Sequence, residues 1–252
     1  MKRDEPHLTR RKALAGAGAV GFATIGMGRG RSTASPDEYT NYTYAESDAP
    51  SRLLVGWRST YNDERVAASP TDSVDGADGI RLIDLRNVLP GDTGSASVGL
   101  RLDDPGEAVP EGARVWMRIA VDGDDGRAAA SRALAERIEV DVRYDTGVLG
   151  IGRCAGADDE FVDFGEPIYA GTMAGLAADG DLAAGVELDP GLFDNGCLAP
   201  GERRCLTLVW RFPADGGNAG QGGALDFDVT FHAVSCDRTG NPFAADAAGV
   251  SG

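Results

Sequence analysis

Apolar and polar residues alternate along most of the chain with a period of two, which is typical of β-strands that bury one face. The clearest alternating segments are 96–103, 114–121, 137–144, 205–212 and 225–233, and shorter candidates lie at 53–57, 80–85 and 167–170. Because each long segment has a single apolar face, we predict antiparallel sheets that pack against each other.

Turn-forming sequences separate the candidate strands. They are Pro90-Gly91-Asp92, Asp104-Pro105-Gly106, Asp122-Gly123-Asp124 and Ala214-Asp215-Gly216. Residues 128–136 are good helix formers, and 173–179 predict a short helical turn. About eight strands in a domain of this size fit one sandwich or jelly roll. We therefore predict an all-β, antiparallel, jelly-roll-like β-sandwich over residues 52–236, with one or two short helices.

The first 34 residues have the order of an export signal. Residues 1–12 are polar and basic, 13–28 are uncharged and weakly apolar, and small residues end at Ala34. This order predicts a signal peptide over 1–34, with cleavage after Ala34. Its apolar part is short and rich in glycine, so it is a poor permanent membrane span, and a true anchor helix is the alternative.

Arg10 and Arg11 resemble the pair of a twin-arginine export motif, because Thr9 precedes the pair and Leu14 follows it. The alternative is that the pair only supplies positive charge. Either route predicts an export machinery and a signal peptidase as partners, and a final location outside the cell or on its surface. Beyond the leader, we expect a flexible segment or donor strand at 35–51 and a disordered tail at 237–252.

Charge is unevenly distributed along the chain. The net charge is −16 overall, made of +5 in residues 1–34 and −21 in the rest. Both lysines, Lys2 and Lys12, lie in the leader, and every later cation is arginine. The acidic body indicates adaptation to high salt, which screens the repulsion, or a genome biased toward Arg, Asp, Ala and Gly. Nucleic acid and anionic membrane surfaces are poor partners for a body of this sign.

All four cysteines lie beyond the leader, which predicts two disulfides in an exported chain. Four cysteines allow three pairings. Cys197 and Cys205 flank a Pro-Gly turn, so we expect them to meet locally, which leaves Cys154 for Cys236. The chain has no C-x-x-C sequence, so a zinc site is not expected.

The sequence offers no organised catalytic group, and we predict that the protein is not an enzyme. His7 falls in the leader, so His232 is the single histidine of the mature body. That excludes the H-E-x-x-H zinc motif and any site of several histidines. His232 lies on the polar face of a candidate strand, where we expect it to be exposed rather than part of a Ser–His–Asp site.

A cluster of carboxylates is the one candidate metal site. It lies beside Cys154 and includes Asp158, Asp159, Asp163 and Glu166. Carboxylate oxygens crowded in a loop can bind Ca²⁺ weakly, although a solvated acidic loop explains them equally. No other cofactor is expected. Asn41 begins the sequon Asn41-Tyr42-Thr43, a candidate glycosylation site.

Seven segments, taken in order, resemble exported haloarchaeal proteins of the TasA/camelysin superfamily, which carry a SipW-dependent-type signal peptide. The segments are 10–28, 53–63, 85–102, 115–119, 171–176, 197–213 and 225–236. The V-L-P-G-D turn before an alternating strand is the most telling piece, and the late F-x-x-x-F-x-A-x-x-C strand is the second. The resemblance covers nearly the whole mature chain.

This resemblance implies a jelly roll, processing by a dedicated signal peptidase, and a role in extracellular matrix, biofilm fibres or pili. In such fibres an N-terminal segment of one subunit completes the sheet of the next. The β-prone stretch 39–44 lies where a donor strand would lie, with a flexible tether as the alternative. We therefore expect a self-associating structural subunit. A monomeric exported module that binds calcium or a surface glycan is the alternative.

Overall fold

The computed structural model describes residues 43–47 (backbone only), 52–68, 79–103, 112–123, 128–145, 167–188 and 196–244. Within these ranges the protein is an all-β sandwich of two antiparallel sheets with a few short helices, as the alternation predicted. The leader, 1–34, lies outside the described residues.

Twelve strands and three short helices form the described fold. The strands are β1 Thr43–Ser47, β2 Leu53–Tyr61, β3 Glu64–Ala68, β4 Ile80–Arg86, β5 Thr93–Leu102, β6 Ala113–Gly123, β7 Glu139–Tyr144, β8 Pro167–Thr172, β9 Val186–Glu187, β10 Cys197–Leu198, β11 Arg203–Arg211 and β12 Ala224–Ser235. The helices are α1 Ala128–Ala135, α2 Met173–Ala177 and α3 Gly180–Ala184.

The strands divide into two sheets. In sheet A, β2, β5, β11, β7 and β8 lie side by side, and β3 pairs with the second half of β2 on the side away from β5. In sheet B, β12 lies between β6 and β4, while β9 and β10 pair with the other side of β6. Strand β1 belongs to both sheets.

The core lies between the sheets and is built from the apolar face of each strand. An aromatic pair crosses sheet A, where Tyr61 and Trp210 lie on either side of Gly94 with ring centroids 5.5 Å apart. A Cβ on Gly94 would lie 2.5 Å from the carbonyl oxygen of Thr60 and 2.6 Å from Nε1 of Trp210. Glycine is therefore required between the two rings.

Helix α1 is fixed to the end of sheet B. Leu134 is fully buried in the core, and the backbone N–H of Ala224 donates to the Ser131 hydroxyl at 3.1 Å. Gly223 approaches so closely that a Cβ would lie 2.6 Å from the carbonyl oxygen of Ala130. Helices α1 and α2 confirm the two helical segments expected at 128–136 and 173–179.

Several elements extend beyond the sequence predictions. The predicted strands 53–57 and 80–85 run on to Tyr61 and Arg86, and α3 and the short strands β3, β9 and β10 have no predicted counterpart. The predicted disordered tail is wrong for 237–244, because these residues fold back onto sheet B and bury Phe243. Residues 245–252 lie outside the described part of the chain.

Candidate functional surfaces

Strand β1 lies at the seam between the two sheets. Thr43–Ala45 pair antiparallel with Leu53–Val55 of β2, whereas Glu46 and Ser47 pair in parallel with His232 and Ala233 of β12. Strand β4 occupies the same side of β12 over Ala224–Val229, so β1 takes the remaining end of that edge. The segment predicted as a tether or donor strand thus supplies a strand to its own sandwich.

The turn before β5 is held together by one carboxylate. Asp92 accepts hydrogen bonds from the Tyr61 hydroxyl at 2.6 Å, the Asn62 amide at 3.0 Å and the Leu89 N–H at 2.7 Å. Its own carbonyl accepts from the N–H of Phe212 at 2.8 Å. The Pro-Gly-Asp sequence therefore joins the end of β2, the β4–β5 turn and the end of β11, which is a structural role.

The stability that Tyr61 contributes to this junction varies with pH in the alkaline range. Burial, followed by the hydrogen bond to Asp92 and its negative charge, raises the pKa of the Tyr61 phenol. The folded protein therefore keeps this proton to higher pH than the unfolded chain, whose tyrosines have a pKa of about 10. The stability that Tyr61 contributes is complete below that pH and falls as the pH rises above it.

We expect the stability difference between wild type and Tyr61→Phe to be constant below about pH 10 and to shrink at higher pH. Urea unfolding across this range measures it, and the subtraction removes the effect of every other tyrosine. A difference that is flat at alkaline pH would show that the Tyr61 proton is not held by the fold.

A disulfide joins the two strands that flank β6. Cys197 of β10 bonds to Cys236, just after β12, with 5.9 Å between their Cα atoms. The bridge passes over Gly112, where a Cβ would lie 2.7 Å from the Cys197 sulfur and 3.1 Å from the Cys236 sulfur. Sheet B is therefore closed covalently where its central strand begins.

The expected pairings of Cys197 with Cys205 and of Cys154 with Cys236 are both wrong, because Cys197 bonds to Cys236. Strand β10 pairs with β6 in sheet B, whereas β11 pairs with β5 and β7 in sheet A. The Pro-Gly turn between them passes from one sheet to the other, so the two cysteines diverge. Cys205 is also disulfide-bonded. The remaining cysteine, Cys154, lies outside the described residues, and a peptide map is expected to show it linked to Cys205.

Residues 237–244, which we name the C-terminal clamp, are fastened to the outer face of sheet B by Asn241. Its side-chain amide donates to the carbonyls of Ala184 and Gly185, each at 3.0 Å, and its oxygen accepts from the Phe243 N–H at 2.9 Å. Gly185 has a φ of +106°, and a Cβ there would collide with the Phe243 ring. The loop after α3 is thus shaped to receive the clamp.

Phe243 fills a small apolar cluster on that face. It is 3% exposed and packs with Trp116 and Val234. The His232 ring meets it edge-on at 5.9 Å, and the Arg118 guanidinium lies 4.5 Å from the ring centre. His232 is therefore half-buried among aromatic and cationic groups, which corrects the expectation of an exposed strand histidine.

We expect Phe243→Ala to lower the free energy of unfolding by about 3 kcal/mol, because it empties a buried site. Denaturant unfolding measures this loss. Val66→Ala is the matched control, since Val66 is 63% exposed and its truncation should cost within about 0.5 kcal/mol. Equal effects of the two changes would show that the clamp does not contribute to the fold.

A groove of about 780 Å³ lies on the outer face of sheet A, over β7, β8 and β11. Its walls carry two ion pairs, Arg211 with Glu139 and Arg143 with Asp141. The lining also includes Thr172, Thr207 and the partly exposed Val209. The groove therefore offers paired charges and hydroxyl groups beside apolar surface.

Most of the sequence-predicted site residues lie outside the described residues. They are Arg10, Arg11, Ala34, Asn41, Cys154, Asp158, Asp159, Asp163 and Glu166. In the part of the chain that is described, no group of three or more His, Cys, Asp or Glu side chains could hold a metal ion. Within these same ranges, no helix has the length and hydropathy needed to cross a membrane.

The fold and these surfaces define a β-sandwich with a seam strand, a disulfide and a C-terminal clamp. No protein-family model matches the chain, and no curated protein matches its sequence.

Proposed function

We propose that this protein is an exported, non-enzymatic structural subunit of the cell surface or extracellular matrix, which self-associates through its N-terminal strand. The observation that carries the proposal is the position of β1. A five-residue strand near the expected mature N-terminus pairs with β2 on one side and β12 on the other. Its removal would leave strand edges unpaired in both sheets, and such edges bind an added strand.

Strand exchange is energetically feasible at this site. A β1 from a second copy would form the same pairs as the chain's own β1, so little of the pairing energy would change. Five residues contribute few contacts compared with the long strands, so release of β1 costs less than opening the sandwich. A chain that donates its β1 to a second chain leaves its own β1 position open for the β1 of a third. Repetition of this step would build a linear fibre of jelly-roll subunits.

The acidic body makes assembly depend on salt. The chain beyond the leader has a net charge of −21 and repels its copies at low ionic strength. At about 1 M salt the Debye length falls to about 3 Å, and only charges in near contact still repel. We expect light scattering from the mature protein to rise with salt. A fall with salt would show that attraction between charges, not strand pairing, drives association.

The function is tested by comparing a mature chain that begins at Ser35 with one that lacks residues 35–47. We expect filaments by electron microscopy from the first chain at high salt and none from the second. A synthetic peptide of residues 35–47 should bind the truncated chain one to one, whereas a scrambled peptide should not. Monomers from the first chain, or filaments from the truncated chain, would contradict the proposal.

The groove on sheet A supports the second candidate, a monomeric exported binding module for calcium or a surface glycan. Its paired charges and hydroxyl groups can bind the polar groups of a ligand, and the apolar surface beside them can contact a sugar ring. This candidate predicts that the mature chain stays monomeric and that its melting temperature rises with Ca²⁺ or with an added oligosaccharide. A filament-forming chain whose melting temperature does not respond to either ligand would exclude it.

A further inference from the structure

Strands β3 and β8 form the two outer edges of sheet A. Among the described residues, β3 pairs only with β2, and β8 pairs only with β7. Strand β1 lies on the same side of β2 as β3, but it pairs with the first half of β2 and continues into sheet B. Each edge therefore has one side without a neighbouring strand in the described structure, and such edges bind added strands.

The two edges lie at the same height along the strands. Successive register pairs form a row across all six strands, which consists of Arg65, Thr60, Ser95, Val209, Asp141 and Ala170. The two neighbouring rows run from Glu64 to Gly171 and from Ala67 to Tyr169. A second copy displaced sideways along the sheet thus brings its β3 beside β8 with no shift along the strand axis.

The strand directions are also compatible. All five pairings from β3 to β8 are antiparallel, so these two edge strands run in opposite directions. A β3 placed beside the β8 of another copy therefore continues the antiparallel alternation. A sideways displacement also keeps the core face of each sheet on the same side, so the alternation of buried and exposed side chains is preserved across the joint.

The side chains at the two edges suit each other. Edge strands are commonly protected by charged residues, but Pro167–Thr172 contains none, and its central residue Ala170 is exposed. On β3, Arg65 is exposed and Val66 is 63% exposed. In the joined sheet Arg65 would lie beside the small Ala170, whose other neighbour in the row is Asp141. A cationic edge would thus meet an uncharged strand that is backed by a carboxylate.

We propose that β8 of one copy pairs with β3 of a second copy, so that sheet A continues from chain to chain. The contact joins two different surfaces and does not close on itself, so it can repeat. Interfaces that hold stable complexes bury at least about 1,200 Å², and an edge of five or six residues is smaller. The pairing is therefore weak alone, and it joins neighbouring chains laterally by a contact that does not depend on exchange of β1.

Cysteine cross-linking of the mature chain tests this contact. One chain carries Arg65→Cys and the other Ala170→Cys, and they are mixed at high salt and high protein concentration under mild oxidation. We expect dimers that join the two variants to exceed either homodimer at least several-fold. The matched control mixes Arg65→Cys with Leu89→Cys, because Leu89 is 47% exposed but lies in the β4–β5 turn, and it should show no such excess.

A chain with both changes should form a covalent ladder. Within one chain, five strand spacings of about 4.8 Å separate residues 65 and 170, about 24 Å in all, whereas a disulfide needs Cα atoms within about 7 Å. A bond between the two cysteines must therefore join two copies. Retention of the Cys197–Cys236 bond and of the β-sheet circular dichroism shows that each variant is folded.

Sedimentation of chains without added cysteines gives a second measurement. Ala170→Glu places a charge on the β8 edge and should lower the average mass at high protein concentration, whereas Ala214→Glu adds the same charge at an exposed turn and should not. The proposal is overturned if the mixed dimers do not exceed both homodimers and the Leu89 control, or if Ala170→Glu associates like the wild type. Filaments without this cross-link would overturn the edge contact and leave exchange of β1 in place.

Discussion

Asp92→Ala is expected to lower the free energy of unfolding by about 4 kcal/mol. A hydrogen bond to a charged acceptor contributes about 1.5–3 kcal/mol, and this carboxylate accepts three. Because Asp92 is half-exposed, water can form part of the lost hydrogen bonds. The expected loss in the free energy of unfolding is therefore smaller than the sum of the three contributions. The Tyr61 hydroxyl loses its acceptor, and the turn between β4 and β5 loses the side-chain bond from the Leu89 N–H.

Denaturant unfolding measures the effect, with Asp215→Ala as the matched control. Asp215 is also an aspartate in a predicted turn, but it is exposed, so its removal should change stability by less than about 0.5 kcal/mol. Asp92→Asn keeps one acceptor oxygen and should lose about half as much as the alanine variant. If Asp92→Ala and Asp215→Ala unfold at the same denaturant concentration, the junction does not organise the fold.

Gly112→Ala should lower the stability of the protein by a similar amount, but through loss of a disulfide. Its new Cβ would meet both sulfurs of the Cys197–Cys236 bridge and lie 2.9 Å from the carbonyl oxygen of Leu198. The bridge closes a loop of 39 residues, and loss of such a loop costs about 4 kcal/mol in the chain-entropy model. We therefore expect two reactive thiols and a marked drop in melting temperature.

Thiol titration measures the free thiols of Gly112→Ala, and thermal unfolding measures its melting temperature. Gly180→Ala is the matched control, because a Cβ at Gly180 meets nothing within 4 Å and lies in a helix, where alanine is favoured. That control should keep every cysteine oxidised and melt at the wild-type temperature or above. An intact bridge in Gly112→Ala would show that β6 can shift without breaking the covalent closure.

Period-two alternation was sufficient to predict the long strands, because each of them buries one full face. The short strands β9 and β10 were not predictable, since two residues show no period and are fixed only by their neighbours on β6. The predicted polar face of β5 is buried on the outer side of sheet A, which alternation cannot reveal. Burial of a polar face depends on what covers it.

The candidate sites were less predictable than the fold. The Pro-Gly-Asp turn was identified from turn chemistry, but the reach of Asp92 to Tyr61 spans 31 residues and needs the sheet to bring them together. The predicted cysteine pairing is wrong for a related reason, since cysteines that are close in sequence need not be close in space. Phe243 was missed because one aromatic residue in a polar tail carries no pattern.

The described sandwich is fastened near both of its termini. On the C-terminal side, Cys236 is bonded to Cys197, and the clamp that follows is held by the Asn241 amide and the buried Phe243 ring. On the N-terminal side, β1 forms three register pairs with β2 and two with β12. The proposed assembly requires that these pairs form between chains instead of within one chain.

A mixing experiment tests the exchange of β1 most directly. Glu46 and His232 are register partners in the parallel pair between β1 and β12, so one chain carries Glu46→Cys and the other His232→Cys. After mixing at high salt and mild oxidation, we expect covalent dimers that join the two variants, and a covalent ladder from a chain with both changes. Cross-linked monomers from the double variant, with no dimer in the mixture, would show that β1 stays in its own chain and contradict the proposed assembly.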